Sequence, residues 1–162
     1  MAELVPIKNI STDDVETLLD DAFGADRFQR TAYLLRTGMP VIDHLSFAVT
    51  DFGSVVGSIQ CWPVAVGEAP LILVGPVAVA SGRQGQGIGH QLMHAALAAL
   101  RPGDAPMVMI GDPEYYERFG FHANNTHGWT LSGPWEPRRL LLRNPQTIDL
   151  PENGMLGPRT RL

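Results

Sequence analysis

Apolar positions change their period several times along the chain, and each change marks an expected element. Leu4 to Ile10 reads as a short first strand. Ser11-Thr12-Asp13-Asp14 matches the S/T-x-x-D/E capping pattern. Val15, Leu18, Leu19, Ala22 and Phe23 recur behind it at helical spacing, so residues 12–23 are expected as an amphipathic helix. Its acidic positions, Glu16, Asp20 and Asp21, read as a solvated outer face. Asp26 to Arg36 is expected as a second helix, ended by Gly38-Met39-Pro40.

The rhythm then becomes that of strands. Leu45 to Thr50 alternates, Asp51-Phe-Gly-Ser is a turn signal, and Val55 to Trp62 is the returning arm of a hairpin. Pro63 to Pro70 reads as a loop. Leu71 to Val79 is continuously apolar, the mark of a strand covered on both faces. Gly75-Pro76 interrupts it. Proline cannot donate to a ladder, so this strand is expected to carry a bulge or a gap there.

A glycine-rich stretch, Ser81 to Gly89, precedes a helix whose apolar face runs through Ile88, Leu92, Ala95, Ala96, Ala99 and Leu100. Met107 to Ile110 is a short strand. Asp112-Pro113 opens a brief helix that Gly120 closes. Trp129 to Leu131 and Arg139 to Leu142 are expected final strands. No repeat or linker interrupts the chain. The expectation is one domain over 1–150 and an irregular C-terminal tail over 151–162.

Composition narrows the function classes. The 162 residues carry 12 Lys and Arg against 17 Asp and Glu, a formal charge of −5. No basic run grips a phosphate backbone, so a nucleic-acid partner is not expected. The longest apolar stretch is far short of the roughly 20 residues of a membrane helix, and MAELVPIK lacks the apolar segment of a signal peptide. A cytoplasmic protein with no membrane partner is the expectation. The single Cys61 excludes an internal disulfide and a Cys-rich zinc site. Glycine and proline are abundant, 17 and 13 residues, and four of the glycines fall between Gly82 and Gly89.

That cluster carries the chemistry. It joins a buried strand to a helix, and the first amides of a helix lack internal partners and lie at the positive end of its dipole. Glycines there let an anion approach the backbone, so a phosphate or pyrophosphate ligand is expected. A Walker A loop needs Lys and then Ser or Thr, but Gly89 is followed by His90 and Gln91. A dinucleotide fingerprint needs a third glycine where His90 stands, and an acid about 20 residues on, where the chain is apolar.

Gln84-Gly-Gln-Gly-Ile-Gly89 matches instead Q/R-x-x-G-x-G/A after a V-x-V strand end. It resembles the acetyl-CoA motif of the GNAT family of N-acetyltransferases. Tyr115-Tyr-Glu-Arg-Phe-Gly-Phe121 is similar to the Y-x-x-x-G-F segment of the same family, in the same order and at the usual separation. Gly111 to Phe121 looks most like a bacterial subgroup of such enzymes. The resemblance covers about residues 4–143. It implies an α/β (α+β) fold: a mixed, mostly antiparallel sheet of about six to seven strands, a bulged and splayed central strand, and about four flanking helices.

The resemblance also implies roles. The backbone of Gln84, Gly85, Gln86, Gly87, Ile88, Gly89 and His90 would hold the pyrophosphate of acetyl-CoA, the cosubstrate. Its pantetheine arm would pair like a strand beside Val77 and Val79. The Val79 amide would stabilise developing oxyanion charge. Tyr116 would protonate the departing thiolate. The reaction would be direct acetyl transfer to a primary amine on a small molecule or peptide, with no metal, and the family allows a homodimer. Two departures stand out: no carboxylate lies on Leu71–Val79, and Met109 replaces the usual asparagine. Glu68, Asp112, His44 and His127 are the candidate bases, beside water or a reaction that needs no base. The missing carboxylate motivates a second class, a non-catalytic acyl-CoA-binding sensor or regulatory module.

Simpler roles stand beside these. Asp112 before Pro113 suits a helix cap. Tyr116 could be an ordinary packed tyrosine. His90 and His94 at i, i+4 suit a polar face without a third metal ligand. Cys61 suits a small core position, and Trp62, Trp129 and Trp135 suit core or rim packing as well as the wall of a substrate pocket.

Overall fold

The computed structural model describes residues 2–159. Among the described residues eight strands form a mixed, mostly antiparallel sheet whose main order is β1-β2-β3-β4-β5-β7, accompanied by four α-helices. The strands are β1 (Ala2–Pro6), β2 (Phe47–Asp51), β3 (Ser54–Val66), β4 (Ala69–Val79), β5 (Met107–Ile110), β6 (Trp129–Thr130), β7 (Leu140–Arg143) and β8 (Gly154–Pro158). The helices are α1 (Thr12–Phe23), α2 (Thr31–Leu34), α3 (Ile88–Ala98) and α4 (Pro113–Tyr116). β4 and β5 are parallel, as a strand–helix–strand crossover through α3 requires. The expected α/β architecture is present, with one strand more than expected.

The residues gather into two compact units. One holds the chain up to Phe28, Val41–Cys61 and Pro76–Pro102; the other holds Gln29–Pro40, Trp62–Gly75 and the chain from Gly103 onward. In the first unit α1 forms where its sequence signals place it. The Ser11 hydroxyl accepts from the Asp14 amide at 3.1 Å, and Asp13 and Asp14 sit in the first turn, where the dipole favours acids. Val15, Leu18 and Leu19 then bury against Ile7 and Ala78. α3 buries Ile88, Leu92, Met93 and Ala96. It packs so closely on β3 that a Cβ at Gly57 would meet Ile88 Cγ2 at 2.5 Å.

The acidic face of α1 is not simply solvated. Glu16 and Asp20 both accept from the guanidinium of buried Arg27, and Asp21 binds Ser81. Burying an arginine is costly unless it is paired, which turns Arg27 toward α1. This breaks the expected helix over Asp26–Arg36. Arg27–Gln29 forms a single 3-10 turn, Arg30 is extended, and only Thr31–Leu34 is α-helical. Thr31 is in turn anchored by its hydroxyl to the Pro134 carbonyl.

In the second unit, the expected loop Pro63–Pro70 is strand almost throughout, with only Gly67-Glu68 turning. The irregular tail expected over 151–162 is also corrected: β8 pairs antiparallel with β3, Val64–Val66 against Leu156–Pro158. The last three residues, Thr160–Leu162, lie outside the described residues. β3 turns through Gly67-Glu68 into its neighbour β4, and β8 pairs with Val64–Val66, which are buried. Arg159 continues the lock, donating to the carbonyls of Val64 at 3.1 Å and Leu71 at 2.6 Å. In the first unit the lone Cys61 is a core residue, its thiol 3.4 Å from the Leu45 carbonyl. Trp62 and Trp129 are buried, each donating its indole N–H to a backbone carbonyl.

Candidate active site

β4 changes character at its glycine. Leu71 to Val74 are buried, whereas Gly75, Pro76, Val77 and Val79 are only partly so. Gly75 has φ +140°, a conformation that side chains rarely adopt. Its carbonyl accepts from Trp62 Nε1–H at 2.8 Å. The ladder between β4 and β5 consists of Ile72↔Met107 and Leu73↔Val108, while β5 runs on against β7 as far as Ile110. Among the described residues, then, β4–β5 pairing ends just before the Gly75-Pro76 step. The end of the ladder there is the gap expected beside Gly75-Pro76.

Beyond Val79 the chain turns into the glycine loop. Ala80 N–H still bonds the Val56 carbonyl at 2.9 Å. Gly82, Gly85 and Gly87 then take φ of +83°, +78° and +80°, and a Cβ at any of them would meet nothing within 4 Å. Gly87 is the left-handed N-cap of α3, and no side chain caps the helix. The amides of Ile88, Gly89 and His90 have no intrahelical acceptor at this position. Gln84 to Gly87 are exposed, Ile88 is buried and His90 is exposed. The loop therefore presents open backbone at the positive end of an 11-residue helix, a fit for a diphosphate.

Two carboxylates remote in sequence hold this loop. Asp21 on α1 accepts from the Ser81 amide at 2.9 Å and the Ser81 hydroxyl at 3.2 Å. Asp51, at the end of β2, accepts from Arg83 Nη2 at 2.7 Å, and Arg83 Nε donates to the Gln86 side chain at 2.9 Å. Neither tether has a local sequence signal, because the partners stand 60 and 32 positions apart. His90 and His94 face each other on α3 with Nε2 atoms 2.9 Å apart and both rings exposed.

All the residues expected to bind cofactor lie in this one unit; Tyr116 belongs to the other. There α4 starts at Pro113, and the Asp112 carbonyl accepts from the amides of Tyr115 and Tyr116. Gly120 closes the segment in the left-handed region at φ +88°. The Asp112 carboxylate does not cap α4 as expected. It accepts from Arg139 Nε at 3.2 Å, an ion pair that draws it away from the helix amides. Tyr116 packs across Gly111, edge-on to the Tyr115 ring at a centroid distance of 4.9 Å. Burial, with the nearby Tyr115 and Asp112, pushes its phenol up to about 12, so it is a protonated donor throughout the physiological range.

The candidate bases are scattered. Glu68 is exposed in the turn that begins β4, while Val79 ends that strand. His44 is in a 3-10 turn over Asp43–Leu45. His127 lines a separate cleft of about 320 Å³ with Asn124, Asn125, Asn144 and Glu152.

Comparison with known proteins identifies the family. A family model described as an acetyltransferase (GNAT) domain matches residues 43–123. The uncharacterized N-acetyltransferase YhbS of Escherichia coli K12 is 34% identical over 152 residues, which span 91% of this chain and 89% of that protein. The crystal structure of E. coli YhbS in complex with CoA superposes with a TM-score of 0.70 at 24% identity, covering 98% of this chain and 88% of the other. A GNAT acetyltransferase from Brucella melitensis, in complex with acetyl-CoA, gives a TM-score of 0.60 at 26% identity, covering 90% of this chain and 97% of the other. The open glycine loop, the interrupted β4 ladder and these likenesses agree: the chain belongs to the GNAT family of acetyltransferases.

Proposed function

We propose that the protein is an acetyl-CoA-dependent N-acetyltransferase that moves the acetyl group directly onto a primary amine. One observation carries the reading: three positive-φ glycines with open space around them lead into the uncapped N-terminus of α3. Backbone amides from Gln84 to His90 bind the diphosphate, helped by the helix dipole. The edge of β4 from Val77 to Val79 offers N–H and C=O groups to the amide-bearing pantetheine arm. The complexes of the two relatives with CoA and acetyl-CoA support the same choice of ligand.

Acetyl-CoA supplies the activated carbonyl and a thiol leaving group. In this reading the Val79 N–H donates to the carbonyl oxygen as it gains negative charge. The Tyr116 hydroxyl donates its proton to the sulfur as the C–S bond breaks. A phenol pushed up to about 12 holds a proton to give and recovers it readily from solvent. β4 has no Asp or Glu from Leu71 to Val79, so the reading assigns deprotonation of the ammonium to water. The rate should then rise with pH along the acceptor's own titration. The cytoplasm is the compartment this reading favours, with a small-molecule or peptide amine as partner.

Equilibrium binding of acetyl-CoA and thiol release across an amine panel test the reading. Gly87→Asp puts a side chain and a negative charge where phosphate should lie, and should abolish acetyl-CoA binding. Tyr116→Phe should keep binding and slow thiol release by about 10²–10⁴-fold. Unchanged affinity in Gly87→Asp would exclude the loop as the phosphate site. Tight binding with no turnover on any amine, and no effect of Tyr116→Phe, would leave a sensor instead of an enzyme.

A further inference from the structure

Phe52 occupies a position that its own chain does nothing to reward. It stands at the tip of the β2–β3 hairpin, where Asp51 pairs with Ser54 across a two-residue turn. Phe52 and Gly53 have φ of +50° and +81°, the pattern of a type I′ turn. Asn, Asp or Gly normally fills the first central position, and a bulky residue at positive φ is an outlier. The ring is also 91% exposed, so burial within the chain does not offset that strain. An outlier of this kind points to a use outside the fold.

The neighbours of the turn say where that use lies. Asp51, one residue before Phe52, is bonded to Arg83, and Arg83 is bonded to Gln86 within the glycine loop. The tip is thus tied to the loop proposed to hold the diphosphate. On the side of the diphosphate away from the thiol, CoA carries a phosphorylated ribose and adenine. Adenine is the one flat aromatic part of the molecule, and bases stack on exposed aromatic rings.

We infer that Phe52 is a stacking platform for the adenine of acetyl-CoA. This rests on the glycine loop being the diphosphate site, and it adds a residue that selects the nucleotide half of the cofactor. The turn gives up local stability to present the ring, and the Asp51–Arg83 ion pair keeps the ring in register with the loop.

Phe52→Asn provides a test that does not depend on turnover. Asn-Gly is the favoured type I′ pair, so this variant should unfold at a higher temperature than the wild type. Its Kd for acetyl-CoA, measured by calorimetry, should nevertheless rise about tenfold, within the range of base-stacking losses. Its Kd for acetyl-4′-phosphopantetheine, which lacks the 3′-phospho-AMP half of the cofactor, should stay unchanged. Phe52→Trp should keep acetyl-CoA affinity. Its indole emission, taken as the difference from the wild type, should be quenched by acetyl-CoA and not by acetyl-4′-phosphopantetheine. Equal acetyl-CoA affinity in Phe52→Asn and wild type would overturn the inference, as would equal losses for both ligands. A change in oligomeric state without a change in acetyl-CoA affinity would also overturn it, in favour of a protein contact. If Gly87→Asp binds acetyl-CoA as well as the wild type does, the loop assignment itself falls, and this inference with it.

Discussion

Gly111 lies against the ring of Tyr116: a Cβ at 111 would stand 2.6 Å from Tyr116 Cε2 and 2.7 Å from Cδ2. Real Cβ atoms do not approach so closely, so a methyl group there must move the ring or the backbone. Gly111→Ala should therefore act on Tyr116 without touching its chemistry. Overpacking of this kind costs about 1–3 kcal/mol, which urea unfolding would measure. The displaced ring should also be less buried, so its ultraviolet titration should shift from about 12 back toward that of an ordinary tyrosine. An unshifted titration would show that the glycine merely saves space.

The raised phenol links Tyr116 to stability at high pH. The folded state holds the proton up to about 12, whereas the unfolded chain releases it near 10. Between those values the unfolded state binds fewer protons, so stability falls as pH rises. The contribution is complete below pH 10 and is lost through pH 12. Its ceiling is about 2–3 kcal/mol from the size of the shift, less what solvent screens at a partly exposed ring. Tyr116→Phe has no proton to lose there. Between pH 9 and 11.5 the unfolding free energy of the wild type should fall relative to that of Tyr116→Phe by the larger part of that amount. Parallel pH profiles would contradict the assigned shift.

Asp21 acts on the glycine loop by two opposed routes. Its bonds to the Ser81 amide and hydroxyl order the start of the loop. Its negative charge works against an anionic ligand. Near 0.15 M salt the Debye length is about 8 Å, so the charge is largely screened while the hydrogen bonds are not. Two lost hydrogen bonds outweigh the screened repulsion. Asp21→Ala should therefore weaken acetyl-CoA binding about threefold to tenfold at physiological salt. The loss should shrink as salt is lowered and the removed repulsion counts for more. Tighter binding at every salt concentration would show that the tether does not matter.

The elements whose causes are local were legible in the residues. Ser11 caps α1 because the side chain it needs is three positions from the amide it accepts. Gly120 ends its segment because only the left-handed region turns the chain there. The glycine loop and its family likeness could be read because their chemistry is carried by a contiguous run. The illegible parts depend on partners far along the chain. Arg27 breaks the second helix by turning toward acids on α1. Asp112 leaves its cap for Arg139, 27 positions on. Asp21 and Asp51 carry no local signal of the loop they hold. No local signal marks the close packing at Gly57 and Gly111, which comes from the approach of α3 and of Tyr116.

The last strand is where this dependence can be measured directly. Without β8, the backbone of Val64–Val66 would become an unpaired edge beside buried apolar side chains. Such an edge invites pairing with other chains. Truncation after Asn153 keeps Pro151, whose carbonyl holds the Trp129 indole, and removes only the strand and the few residues beyond it. The truncated protein should unfold at lower urea and aggregate in proportion to concentration. Arg159→Met separates the strand from its lock. It leaves β8 in place but takes donors from the carbonyls of Val64 and Leu71. Burial already pulls the Arg159 guanidinium below its ordinary range, so its charge is costly and its loss partly offsets the missing bonds. Arg159→Met should thus cost only about 1–2 kcal/mol and stay monodisperse, while truncation should not. Equal behaviour of the two variants would place the stabilisation in the arginine alone and not in the strand pairing.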